Sequence, residues 1–166
     1  MKTNKPFLIL QLRPEDSTSD NEFEAFLKYG RLDAANVKRV RIEKNGIPEF
    51  ALDDFSGIIV GGSPFDISTL EHEKSAIQKK IEADFKHLFD KVIPNDFPFL
   101  GACSGNGLLG SYLGTSISTK YPEPVSCANL LITKEGKEDP LLSGFPDNID
   151  VLLGHKEACD NTPDGA

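Results

Sequence analysis

The sequence predicts an α/β fold, a doubly wound and mostly parallel sheet, on three observations. Phe7–Leu12 and Phe97–Ala102 are apolar-rich runs of strand length, as expected of strands covered on both faces. Apolar residues recur at helical spacing between the strand-like segments. Two strands run directly into glycine-rich turns, Gly61-Gly62 and Gly101 to Gly105, and the sites of such sheets gather at the carboxyl ends of strands.

Phe7–Leu12 is the first strand, and Ser19-Asp20-Asn21-Glu22 has the form of a capping box. A helix is therefore expected through Phe23, Phe26 and Leu27, with Gly30 as its stop. Val37–Ile42 alternates apolar and basic residues and reads as a strand nearer the edge, with Lys38-Arg39-Val40-Arg41 as a solvated face. Phe55–Val60 is a third strand and leads into Gly61-Gly62-Ser63-Pro64. Ile77, Ile81, Phe85, Leu88, Phe89 and Val92 make one stripe on a long helix that stops before Pro94. Phe97–Ala102 is the fourth strand, and Leu108, Leu109, Tyr112 and Leu113 mark the face of the helix after it. Beyond Gly114 short strands are expected at Thr115–Thr119, Ser126–Thr133 and Ile149–Leu153, with one helical turn at Asp139-Pro140-Leu141-Leu142.

With 166 residues, 39% hydrophobic and 27% charged, the chain is expected to form one domain over 1–166. A net charge of -8 argues against a phosphate-tracking surface. No apolar run is long enough to cross a bilayer, and Phe7–Leu12 is too short for a signal-peptide core. A cytoplasmic protein with neither nucleic-acid nor membrane partners is expected. Cys103, Cys127 and Cys159 are odd in number and form no CxxC pair, so neither a zinc site nor a disulfide frame is suggested. Cys127 reads as core; His72 and His87, among Glu and Lys, read as surface. Cys159 follows His155 by four residues without further ligands, so no metal site is expected.

The chemistry points to Cys103, in Gly101-Ala102-Cys103-Ser104-Gly105. A nucleophile on a sharp strand-to-helix turn needs small neighbours, because larger side chains would clash there. Gly101 and Gly105 meet that need. The turn also sets the cysteine at the amino end of a helix, where free N–H groups and the helix dipole favour a thiolate. The Ser104 N–H then faces the oxygen of a tetrahedral intermediate, and a second donor is available from the Gly61-Gly62 turn. Taken alone, a cysteine is more often a small buried hydrophobe. A competing motif overlaps the elbow: Gly105-Asn106-Gly107-Leu108-Leu109-Gly110 has the G-x-G-x-x-G form, with Glu135 after the next strand, which would suit a dinucleotide. Against it, Cys103-Ser104 separate the strand from the first glycine.

Together, Phe55–Pro64, Pro98–Leu109, Glu123-Pro124-Val125, Asp139–Leu142 and Gly154-His155-Lys156-Glu157 resemble the class I glutamine amidotransferases, and among them the stand-alone, GMP-synthase-like group. The resemblance covers nearly the whole chain. It implies a flavodoxin-like sheet, no cofactor and a thioester mechanism: Cys103 attacks the side-chain amide of glutamine, ammonia leaves and water releases glutamate. It further implies that Gly61 and Ser104 supply oxyanion N–H groups, and that Gly62, Ser63, Leu153 and His155 line the glutamine pocket. Gly107 stands where the family usually carries a substrate-holding Gln.

The family's general base is a His in a His-x-Glu motif well downstream of the elbow. His155-Lys156-Glu157 has that spacing but matches an earlier, substrate-bordering segment. The resemblance thus implies a chain incomplete at its C-terminal end, inactive by itself, with uncovered core. A homodimer or an acceptor enzyme is the expected protein partner. Two other functions stay open: a γ-glutamyl peptidase, using the same attack on another amide, and a non-catalytic glutamine-binding module.

Overall fold

The computed structural model describes residues 5–163. Four parallel strands form the central sheet: β1 (Phe7–Gln11), β2 (Val37–Arg41), β3 (Gly57–Val60) and β4 (Phe99–Gly101), in the order β2-β1-β3-β4. Leu8, Ile9 and Leu10 are fully buried, which is why β1 reads as continuously apolar rather than alternating. With flanking helices, this is the flavodoxin-like α/β architecture that the sequence predicted. Among the described residues, no helix is long and apolar enough to cross a membrane.

The helix after β1, α1 (Asp16–Gly30), starts three residues before the expected capping box. Ser19 lies inside the helix and is fully buried. Its hydroxyl donates to Gln11 Oε1 at 3.0 Å instead of capping the helix. Satisfying the buried Gln11 amide outweighs a local cap, since a buried polar group without a partner costs about 1–3 kcal/mol. Lys38 of β2 is exposed, as a solvated face requires, but Arg39 and Arg41 are not. Arg39 Nη2 donates to Ser19 Oγ at 3.0 Å, and Arg41 Nη1 donates to Asp16 at 2.9 Å. Ile42, expected as the end of β2, begins the short α2 (Ile42–Asn45).

The long helix α3 (Ala76–Val92) is capped by Ser75, whose side chain accepts from the Gln78 N–H. It buries Ile81, Phe85, Leu88, Phe89 and Val92 on the sheet, while Ile77 at its start stays exposed. Phe89 is the hub of this layer, with ring centroids 5.7 Å from Phe85, 5.2 Å from Phe99 and 5.3 Å from Tyr112. The helix after β4, α4 (Ser104–Tyr112), adds Leu108 to the same core.

Beyond α4, β5 (Ile117–Ser118) pairs with β8 (Ala158–Cys159), and β6 (Glu123–Leu131) pairs with β7 (Asn148–His155), both antiparallel. An unexpected short helix, α5 (Lys134–Glu138), follows β6 and carries Glu135. The β6–β7 hairpin is largely exposed, and Cys127, expected in the core, is exposed on β6.

Candidate functional site

The carboxyl ends of β1, β3 and β4 meet beside the point where strand order reverses, between β1 and β3. Cys103 stands at the end of β4 with φ 54 and ψ -110, and α4 starts at the next residue. A non-glycine residue in this region costs of order 1–3 kcal/mol and persists only where its surroundings over-determine it. Those surroundings are visible. A Cβ on Gly101 would lie 2.5 Å from the Gly105 carbonyl carbon, and one on Gly105 would lie 3.0 Å from Val60 Cβ. Both glycines therefore permit the strand to fold tightly back into the helix, and the Cys103 side chain is left exposed.

Cys103 borders a pocket of about 450 Å³ together with Arg13, Ser63, Ser104, Gly107, His155 and Glu157. The Ser104 hydroxyl accepts from the Ser63 N–H at 2.9 Å and lies 2.8 Å from Ser63 Oγ. This pair joins the loop after β3 to the first turn of α4. The Ser104 N–H opens that turn and has no acceptor among the described residues.

Gly61 corrects an expectation. Its N–H donates to the Leu10 carbonyl at 3.1 Å, extending the β1–β3 ladder by one residue. An amide engaged in the sheet is not free for an oxyanion. The neighbouring Gly62 N–H donates to Glu22 Oε1 at 2.9 Å. A Cβ on Gly62 would lie 3.5 Å from Cys103 Cβ, so Gly62 backs directly onto the elbow. Leu153 also sits apart from the pocket lining. It shares a strand face with His155, but two residues of strand set it about 7 Å short.

His155 reaches the pocket from the end of β7, and its Nε2 lies 2.9 Å from Glu123 Oε2 on the paired strand. Its Nδ1 is buried without a hydrogen-bond partner among the described residues. Held this way, His155 bonds Glu123 rather than Cys103. His72 and His87 are exposed. Gly107 lines the pocket, and a Cβ there would meet Ile67 Cγ1 at 3.3 Å. Ile67 thus takes part of the room that a longer side chain on α4 would need.

Sequence reading missed three residues at the site. Arg13 and Glu22 bond to each other at 3.0 Å, and Glu157 accepts from the Ile67 N–H at 2.6 Å and the Ser68 N–H at 2.9 Å. Glu157 thereby ties the loop after β3 to the turn between β7 and β8. The local patterns around Glu22 and Glu157 pointed to other roles, because the partners of all three residues lie far away in the chain.

Cys159, opposite the elbow, packs on Gly110, where a Cβ would lie 2.5 Å from its sulfur. Burial, and then the charges of Asp160 and Glu157, push its thiol up. Cys159 lies on β8, beyond the end of the strand that carries His155. Among the described residues no group of three or more His, Cys, Asp or Glu side chains is placed to hold a metal. The glycines of Gly105 to Gly110 all lie within α4, whereas a phosphate-binding loop must precede its helix. Glu135, too, is on a helix rather than at a strand end. Both facts remove the dinucleotide alternative.

A family model described as glutamine amidotransferase class-I matches residues 15–166. Among solved structures, SMU.1228c superposes with a TM-score of 0.70 at 21% identity, over 95% of this chain and 64% of that one. A glutamine amidotransferase from Thermotoga maritima gives a TM-score of 0.68 at 19% identity, over 94% and 63% of the two chains. A glutamine amidotransferase from Methylobacillus flagellatus gives 0.69 at 17% identity, over 98% and 59%. The chain thus spans less than two thirds of the length of each of these three. No curated protein sequence matches it.

Proposed function

Because this chain belongs to the class I glutamine amidotransferase family, we propose that it is a cysteine-dependent amidohydrolase domain acting on the side-chain amide of glutamine. The observation that carries the reading is the backbone of Cys103, bent to φ 54 so that an exposed sulfur stands at the start of α4 and at the edge of the pocket.

In this mechanism the Cys103 sulfur attacks the amide carbon and forms a tetrahedral intermediate. The Ser104 N–H donates to the developing oxyanion, an interaction worth about 2.7–4 kcal/mol when one such donor is removed. The proton given up by the Cys103 thiol ends on the amide nitrogen, which departs as ammonia and leaves a thioester. Water then adds to the thioester carbon, and the C–S bond breaks to release glutamate and restore the thiol. His155, fixed by Glu123, borders the bound amide without contacting the sulfur. The ammonia passes to an acceptor enzyme or leaves as product.

A diazoketone analogue of glutamine tests this, with the modified peptide located by mass spectrometry. The expected result is one adduct, on Cys103, that competing glutamine suppresses and Cys103→Ser abolishes. Equal modification of the exposed Cys127, or none at Cys103, would overturn the reading. His155 bonding to Glu123 rather than to Cys103 favours a second reading, a glutamine-binding module without turnover. That reading requires glutamine to raise Tm while no ammonia forms.

A further inference from the structure

The charged groups around the pocket are not equally engaged. Glu157 has both oxygens on backbone N–H groups. Lys156 lies 3.7 Å from Asp66 with a side chain 79% exposed. Arg13 differs from both. Its Nε donates to Glu22 Oε1 at 3.0 Å, while Nη1 and Nη2 have no acceptor among the described residues.

Glu22 aims this guanidinium. Its carboxylate also accepts from Gln11 Nε2 at 2.9 Å and from the Gly62 N–H at 2.9 Å, and Gln11 is itself fully buried. The open edge of Arg13 is therefore held in place from behind. It lies on the Gly62 side of the elbow: a Cβ on Gly62 would be 2.5 Å from Arg13 Nη2 and 3.5 Å from Cys103 Cβ. A planar fork with two free nitrogens is matched to a carboxylate, which it binds in bidentate fashion.

We propose that Arg13 is the anion anchor of the Cys103 site, holding the carboxylate of an amide substrate while the sulfur reaches the amide carbon. For the amide this rests on the function proposed above; for the anion it does not. The site thus selects amides that carry a carboxylate a few bonds from the scissile carbon, as γ-glutamyl compounds do. Glu22 is a positioning residue acting through Arg13 and Gly62.

Iodoacetate and iodoacetamide test the anchor, because they differ by one charge and react at the same sulfur. The readout is the ratio of their alkylation rates at Cys103, followed by peptide mass spectrometry, so that general changes in thiol reactivity cancel. In Arg13→Gln the ratio should fall about fivefold to tenfold, the range for one charge interaction at contact distance. Arg13→Lys, which keeps the charge but loses the fork, should give a ratio between those of the unmutated protein and Arg13→Gln. The unmutated protein gives an independent check. With a net charge of -8, added salt should raise the ratio at Cys127 by screening overall repulsion, and lower it at Cys103 by screening a local cation. An unchanged ratio in Arg13→Gln, or a rise with salt at both cysteines, overturns the proposal. A changed ratio without modification by the diazoketone analogue keeps the anion anchor and removes the glutamine reading instead.

Discussion

Replacing Gly101 by alanine tests the elbow at its tightest point. The new Cβ would lie 2.5 Å from the Gly105 carbonyl carbon, 2.6 Å from its oxygen and 2.8 Å from the Asn106 nitrogen. Non-bonded carbon atoms rest at about 3.5–4.0 Å, so a gap of about 1 Å must be opened. All three atoms are backbone of the first turn of α4, and no rotamer change relieves them. Overpacking of this kind costs about 1–3 kcal/mol. The stiffer unfolded chain returns about 0.4–1 kcal/mol. The net loss is about 1–2 kcal/mol, read as a fall in Tm of about 2–8 °C for a chain of this size. Urea denaturation should show a lowered midpoint at unchanged slope. The same displacement moves Cys103 relative to Ser104, so labelling by the diazoketone analogue should slow by about tenfold or more. Gly144→Ala is the control, since nothing lies within 4 Å of a Cβ there and only its φ of 90 is unfavourable; it should leave labelling unchanged. A Gly101→Ala protein with wild-type Tm and labelling rate would refute the reasoning.

Other perturbations separate the core, the surface and the loop. Phe89→Ala removes the ring that Phe85, Phe99 and Tyr112 surround and should cost about 3–5 kcal/mol by chemical denaturation. Hydrogen bonds from Lys44 and then Arg41 hold the exposed Asp16 carboxyl below its ordinary value. A depressed folded-state value contributes stability above the unfolded value and loses it as pH falls through the folded one. Asp16→Asn should therefore lower Tm slightly at neutral pH, and the difference should close in acid below the ordinary aspartate range. Glu157→Ala frees the Ile67 and Ser68 amides and should raise KM for the amide about tenfold, with little change in Tm by scanning calorimetry.

Much of the sheet was legible because a strand buried on both faces has to be largely apolar, and β3 is so throughout and β1 up to Gln11. The α3 stripe was legible for a similar reason: Ile81, Phe85, Leu88, Phe89 and Val92 all face one layer. The start of α1 was misread because Ser19 and Glu22 have the spacing of a cap, yet their partners are Gln11, Arg13 and Gly62. Cys127 was misread because an apolar strand segment resembles core even where its hairpin stands away from the main layer. At the site, the glycines that flank Cys103 pointed to the bend, whereas the commitment of the Gly61 N–H to Leu10 could be seen only once β1 and β3 were paired.

Within the chain alone, then, local sterics and periodicity determined the alternation of strands and helices, the bend at Cys103 and the family resemblance. These are properties of neighbours in sequence, and a few residues suffice to express them. Which groups gather around the elbow and its pocket was decided only by the tertiary structure. Arg13, Glu22, Gly62 and Glu157 come from four separate segments, and hydrogen bonds between segments exist only after the sheet has brought the strand ends together.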